Sequence, residues 1–173
     1  VILFTQHHHE RMKGQGYPAG LTGDEISWYG RLGAVLDVYD ALVHKNYYKD
    51  SEDPKIVLDE IAKTVGEEFD PKAFEALTKC LGQYPPGTML MLDSGEIAVS
   101  FEPNAKDPER PKVLLVTKPE GTFFDHPLAV DLSELNETGS DYKRSIITSV
   151  TPEDTNFNPF DILENFSPVK PDM

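Results

Sequence analysis

The sequence predicts a mainly α-helical chain, with a helical part followed by a small antiparallel β appendage and an irregular tail. Three observations carry this reading. Residues 1–82 repeat apolar side chains with a helical period; residues 83–132 alternate short β-prone runs with turn residues; residues 133–173 are dominated by Ser, Thr, Asn, Asp, Glu and Pro. The domain organisation expected is therefore 1–82, 83–132 and 133–173.

The chain opens on Val1 inside an apolar run, residues 1–4, and is expected to be a piece of a longer polypeptide. Thr22 and Glu25 have the spacing of a capping box, and apolar residues then recur at Ile26, Tyr29, Leu32, Leu36, Tyr39 and Val43. That spacing predicts a buried helix of roughly four to five turns. Asp53-Pro54 announces a second helix, an acid at the N-cap and proline in the first turn. It carries Val57, Leu58, Ile61 and Val65 and stops at Gly66. Asp70-Pro71 repeats the signal for a third, with Phe74, Leu77 and Leu81 on one face and Gly82 as its stop.

From Tyr84 the helical period is gone. Residues 89–92, 97–101, 113–117 and 128–132 read as strands, with turns at Asp93-Ser94-Gly95 and Pro119-Glu120-Gly121. Past Ser133 only isolated apolar residues such as Ile146, Ile147, Phe160 and Leu163 remain, which suits an extended tail that docks locally.

Composition narrows the function classes. Thirty acidic against 16 basic side chains give a formal charge of −14 with no basic cluster, which disfavours duplex nucleic acid as a partner. The single cysteine, Cys80, cannot form an internal disulfide. No apolar run approaches the ~20 residues of a membrane span. A reducing, cytoplasmic location is expected.

Two local patterns carry chemistry. The first is His7-His8-His9-Glu10-Arg11-Met12-Lys13-Gly14-Gln15-Gly16-Tyr17-Pro18. Adjacent histidines do not share a helical face, but at a helix end or in a loop their imidazoles reach two metal ions, or two positions on one. A purification-tag remnant is the bland alternative, and the continuation into Glu-Arg and a Gly-x-Gly-Tyr-Pro turn argues against it. The second is Asp37-Val38-Tyr39-Asp40, two carboxylates at i, i+3 in an otherwise apolar helix. Buried carboxylates are costly unless paired or bound to metal. Their bland alternative is a pair of capping or ion-paired acids.

Together these patterns resemble the HD-GYP family of metal-dependent phosphohydrolases, which are cyclic di-GMP phosphodiesterases. The resemblance rests on His8-His9-Glu10-Arg11, Gly14, Gly16-Tyr17-Pro18 and Gly20-Leu21. It continues through Ile26, Arg31 and Val35-Leu36-Asp37-Val38-Tyr39-Asp40-Ala41-Leu42, then Gly66 and Phe69-Asp70-Pro71, covering residues 1–82. A looser likeness runs on through Tyr84-Pro85-Pro86-Gly87 and Asp93-Ser94-Gly95-Glu96. The resemblance implies an HD-type helical bundle, of which this chain is the C-terminal half. It implies His8, His9 and Asp37 as metal ligands, with iron or manganese in a dinuclear site of the complete domain. Such ions would activate water against a phosphodiester and neutralise charge on its oxygens. Gly16, Tyr17 and Pro18 are implied as a surface for the dinucleotide substrate or for a diguanylate cyclase domain, and Asp40 and Lys45 join them as substrate- or partner-binding candidates.

The chain departs from the family in three places. Lys13 stands where the family usually has Asp, and Asn46, with Lys45 beside it, where an arginine meets phosphate. Lysine is a point charge and does not reproduce a guanidinium fork. No His-Asp dipeptide is present; the other histidines, His44 and His126, read as a helix-terminal and a surface residue. Two functions are therefore expected in competition. One is a parent phosphodiesterase of which this chain carries part of the site; the other is a catalytically degenerate module that binds a partner or the dinucleotide without turnover. A third reading makes the β extension an interaction module. The half-bundle leaves Leu32, Val35 and Leu36 short of partners, which predicts marginal stability or self-association.

Overall fold

The computed structural model describes residues 2–44, 53–155 and 157–166. The chain divides into two compact units, Val1–Leu81 and Gly82–Met173. The described residues are 36% helix and 23% strand, so the expected mainly α class is corrected: a helical unit is joined to a unit built on a five-stranded antiparallel sheet. The excess strand comes from places where backbone pairing, which leaves no periodic trace, decides the conformation.

The first unit holds α1 (Ile2–His7), α2 (Trp28–His44), α3 (Pro54–Ala62) and α4 (Pro71–Leu81), and α2 packs against the other three. Thr22 and Glu25 cap only a short 3-10 turn, Gly23–Glu25, in which the Glu25 carboxylate accepts from the Thr22 amide and hydroxyl. The long helix starts later, after Ser27, whose Oγ accepts from the Gly30 amide at 3.1 Å. Its buried stripe also differs from the expected one. Gly30, Gly33, Ala34, Val35 and Val43 are buried, whereas Tyr29 and Leu36 are exposed and Leu32 is half-buried. Small residues face the neighbouring helices because those helices lie too close for large ones. α3 and α4 begin at their Asp-Pro signals: Asp53 accepts from the Lys55 amide, and Asp70 from the amides of Lys72 and Ala73. α3 buries Pro54, Val57, Leu58 and Ile61 but ends before Val65.

The second unit is a meander, β1 (Met89–Leu92), β2 (Ile97–Glu102), β3 (Lys112–Thr117) and β4 (Phe123–Asp131), closed by β5 (Ile146–Ser149) pairing with β1. Leu90, Leu92, Ala98, Val113, Leu115 and Leu132 make one core cluster, and Met89, Val99 and Val116 make a second, with Phe157, Ile162 and Leu163 packed against it. β1 to β3 are therefore buried on both faces. β4 starts at Phe123, well before the expected 128, and includes Pro127. Proline removes a ladder donor, and β4 tolerates it because it is an edge strand paired only with β3. His126 thus lies in a strand, exposed, rather than in a loop. The tail contributes β5, α5 (Pro152–Thr155) and α6 (Pro159–Asn165), with Asn158 capping α6, which corrects its expected irregular character.

Candidate functional site

A close approach of α1 and α2 creates the site. A Cβ at Gly30 would fall 2.2 Å from the Cβ of His7, and one at Gly33 would fall 2.7 Å from Phe4 Cε2. No side chain fits there, so the two glycines let α1 lie against α2. His7 fastens the crossing, because its Nδ1 accepts from the Ser27 amide at 3.1 Å.

His8 and His9 leave the end of α1 immediately afterwards. His8 stacks on Phe4, and its Nδ1 lies 3.2 Å from the Phe4 carbonyl oxygen. A proton on Nδ1 donates to that carbonyl and leaves Nε2 with the lone pair a metal takes. The His9 ring is 3.9 Å from the His8 ring and 4.6 Å from the Tyr17 ring, centroid to centroid. Its Nδ1 lies 3.8 Å from Asp37 Oδ2, with the two side chains 36% and 48% exposed. That separation is too long for a hydrogen bond and suits two donor atoms that share one ion, which lie about 3 to 4 Å apart. The donor types and their access to solvent therefore fit a metal. Among the described residues, no three His, Cys, Asp or Glu side chains converge tightly enough to hold an ion alone. The fold brings His9 and Asp37 together, with the His8 ring tilted against that of His9.

The expected burial of Asp37 and Asp40 is corrected, since both are exposed. They stand two turns beyond Gly30 and Gly33 on the same stripe of α2, where that stripe has become open to solvent. Asp40 is one turn beyond Asp37. Tyr39, on the same turn, has its phenol pushed well up, first by burial and then by the charges of Asp53 and Asp40. Lys45 and Asn46 lie outside the described residues.

The loop after His9 is held by a buried group. Glu10 is 1% exposed, and its carboxylate accepts from the amides of Ala19 (2.8 Å) and Leu21 (3.0 Å). Gly16 packs on the backbone of His9 to Arg11: a Cβ there would lie 2.4 Å from Glu10 Cα and 2.5 Å from His9 O. The Tyr17 amide donates to His9 O, Tyr17-Pro18 is cis, and the Tyr17 side chain is 60% exposed beside the His9 ring. Further back, the Met12 amide donates to Glu68 O and the Gly23 amide to Met12 O. Arg31 ties α2 to the N-terminus of α4 through Asp70, at 2.9 Å, and also meets the exposed Asp24 at 3.3 Å. Lys13 pairs with Glu67 at 2.8 Å, both exposed.

Sequence reasoning did not assign roles to His7, Gly30 and Gly33, nor the loop-holding role to Glu10. A legible signal existed for the glycines: Gly-x-x-Gly on a helix just before Asp37 marks a close helix crossing. Glu10 had none, because its partners are main-chain amides.

A family model described as HD domain matches residues 1–73. A cyclic di-GMP phosphodiesterase of Pseudomonas aeruginosa is 36% identical over 138 residues, 80% of this chain and 33% of that protein. A 3'3'-cGAMP-specific phosphodiesterase of Vibrio cholerae is 43% identical over 70 residues, 40% of this chain and 13% of that protein. A cyclic di-GMP phosphodiesterase response regulator of Xanthomonas campestris is 39% identical over 77 residues, 44% of this chain and 20% of that protein. The chain thus spans at most a third of the length of these relatives.

Proposed function

Residues 1–73 belong to the HD-domain family, in its HD-GYP branch, and on that premise we propose that the parent protein is a metal-dependent phosphodiesterase hydrolysing cyclic di-GMP in bacterial second-messenger signalling. This chain carries part of its site. The observation that carries the reading is the 3.8 Å approach of His9 to Asp37, joining the double-histidine motif to the Asp-x-x-Asp helix.

In this reading His8, His9 and Asp37 hold iron or manganese in a dinuclear site completed by other residues of the parent. The bound metal supplies Lewis acidity and an activated water for attack on phosphorus. His8 is oriented by the Phe4 carbonyl and His9 by the rings on either side of it. Tyr17, presented by Gly16 and Pro18, offers an exposed aromatic face on which a guanine base of the dinucleotide stacks, a contact worth about 1–3 kcal/mol per base. Asp40 and Lys45 lie beyond Asp37 along the chain and serve substrate or partner contacts. A cytoplasmic location accords with a lone, exposed Cys80. No helix among the described residues is long and apolar enough to cross a membrane.

The test is hydrolysis of cyclic di-GMP by the parent, purified without oxygen, with metal content measured on the same samples. His9→Ala and Asp37→Ala are each expected to abolish turnover and lower bound metal. Unchanged turnover in both variants would overturn the assignment. The second reading, a module that binds without turnover, is favoured by Lys13 engaged with Glu67 where the family usually has an acid. Dinucleotide binding by a parent that holds metal but does not hydrolyse would establish it.

A further inference from the structure

We infer that Glu10 is a positioning residue that shapes the Gly-Tyr-Pro loop and holds Tyr17 on the face of His9, an inference that rests on the proposed function for its link to turnover. Three observations lead there. Glu10 is the most deeply buried charged residue of its unit that is described, at 1% exposure, and it is placed directly after the two histidines. Its partners are the Ala19 and Leu21 amides, donating to different carboxylate oxygens at 2.8 and 3.0 Å, so one side chain sets the return path of the loop. On the outgoing path Gly16 lies against the Glu10 backbone with no room for a Cβ, and the Tyr17 amide donates to His9 O. The loop is therefore clamped to residues 9 and 10 on both sides of Tyr17, whose ring lies 4.6 Å from that of His9.

The chemistry of the clamp is specific to a carboxylate. Two amide donors converge on it, and both need an acceptor. Glutamine offers one acceptor oxygen and turns an NH2 donor toward the other amide, leaving that amide without its part-buried partner. Aspartate keeps both acceptors but on a shorter arm. Glu10→Gln should therefore release one side of the loop while hardly changing side-chain volume, and its effect should reach the reaction only through Tyr17 and His9.

Two measurements test this. The first is hydrogen exchange of the Ala19 and Leu21 amides in this chain. Both are expected to be protected in the wild type, and in Glu10→Gln protection should fall at these two amides while that of α2 and α4 is retained. The second is a double-mutant cycle on kcat of the parent with Glu10→Gln and Tyr17→Ala. Each single change is expected to lower kcat by roughly tenfold, and the double variant should be no worse than the poorer single one. Equal protection of both amides in wild type and Glu10→Gln, or losses in kcat that multiply in the double variant, would overturn the positioning role. A wild-type parent without turnover would count against the phosphodiesterase reading instead. Loss of protection confined to Ala19 and Leu21 would then still support the clamp.

Discussion

Asp70 is a carboxylate placed where three favourable contacts meet. Burial alone pushes its carboxyl up, but the Ala73 amide, the Arg31 guanidinium and the Lys72 amide outweigh it and hold it below the ordinary aspartate range. A folded-state value below the unfolded one means that the contribution to stability is complete above about pH 4 and is lost as pH falls further. Urea denaturation of the chain between pH ~5 and ~2 is expected to show this loss. Asp70→Asn keeps a capping side chain and should flatten that part of the pH dependence. An unchanged acid profile in Asp70→Asn would contradict the assignment. Gly30 offers a second prediction at the same scale. Alanine in an open helix stabilises by up to about 1 kcal/mol relative to glycine, but here its Cβ would collide with His7. Overpacking of this kind costs about 1–3 kcal/mol, so Gly30→Ala is expected to lower the melting temperature; a rise would mean that α1 does not lie against α2. Helical periodicity passes over His7, Gly30 and Gly33 because it records large apolar side chains, and this contact is made by the absence of side chains; only the Gly-x-x-Gly spacing hints at it.

At the scale of elements, an ion pair joins two distant segments of the second unit. Glu96, buried at the start of β2, receives Arg144 Nε at 2.6 Å on one carboxylate oxygen and Nη2 at 3.1 Å on the other, with the Ser94 hydroxyl at 2.6 Å. Burial raises its carboxyl, and Arg144 and Ser94 more than reverse this. The pair delivers the segment before β5 to the edge of β1, where the Ser145 amide donates to Asp93. Arg144→Ala leaves a buried charge unpaired and is expected to cost about 3 kcal/mol in denaturant unfolding. Arg144→Lys should recover only part, because a lysine cannot make both bonds in the fork. Full recovery by lysine would show that charge alone matters there. The Asp53-Pro54 and Asp70-Pro71 signals placed α3 and α4 correctly because a cap is local chemistry. Asn158-Pro159 is the same kind of signal and marks α6, but it stood in a segment whose polar composition argued for a tail. β5 had no such marker: Ile146 and Ile147 become a strand only because β1 offers an unpaired edge.

At the scale of the whole molecule, the apolar surface of the first unit carries the consequence. Leu3, Phe4, Tyr29 and Leu36 are exposed large side chains, and all belong to α1 and α2. The expectation that Leu32, Val35 and Leu36 would lack partners holds unevenly: Val35 is fully buried, Leu32 half-buried and Leu36 38% exposed. The exposed set is enough to predict concentration-dependent self-association of this chain in sedimentation velocity, and Leu36→Lys should reduce it. A single monomeric species at every concentration, with or without that substitution, would refute the prediction.

From the sequence alone came the elements that local chemistry dictates: the capped starts of α3 and α4, the first three strands, and the motif set that places residues 1–73 in the HD-domain family. Tertiary structure alone decided the class, through strands that form by pairing, and the arrangement of the site, through glycines and a buried glutamate that work by proximity. The physical reason is range. Caps, turns and periodicity act within a few residues of themselves and leave a trace in the order of amino acids. An edge strand seeking a partner, an imidazole approaching Asp37 or a carboxylate collecting two backbone amides depends on groups that only folding brings together.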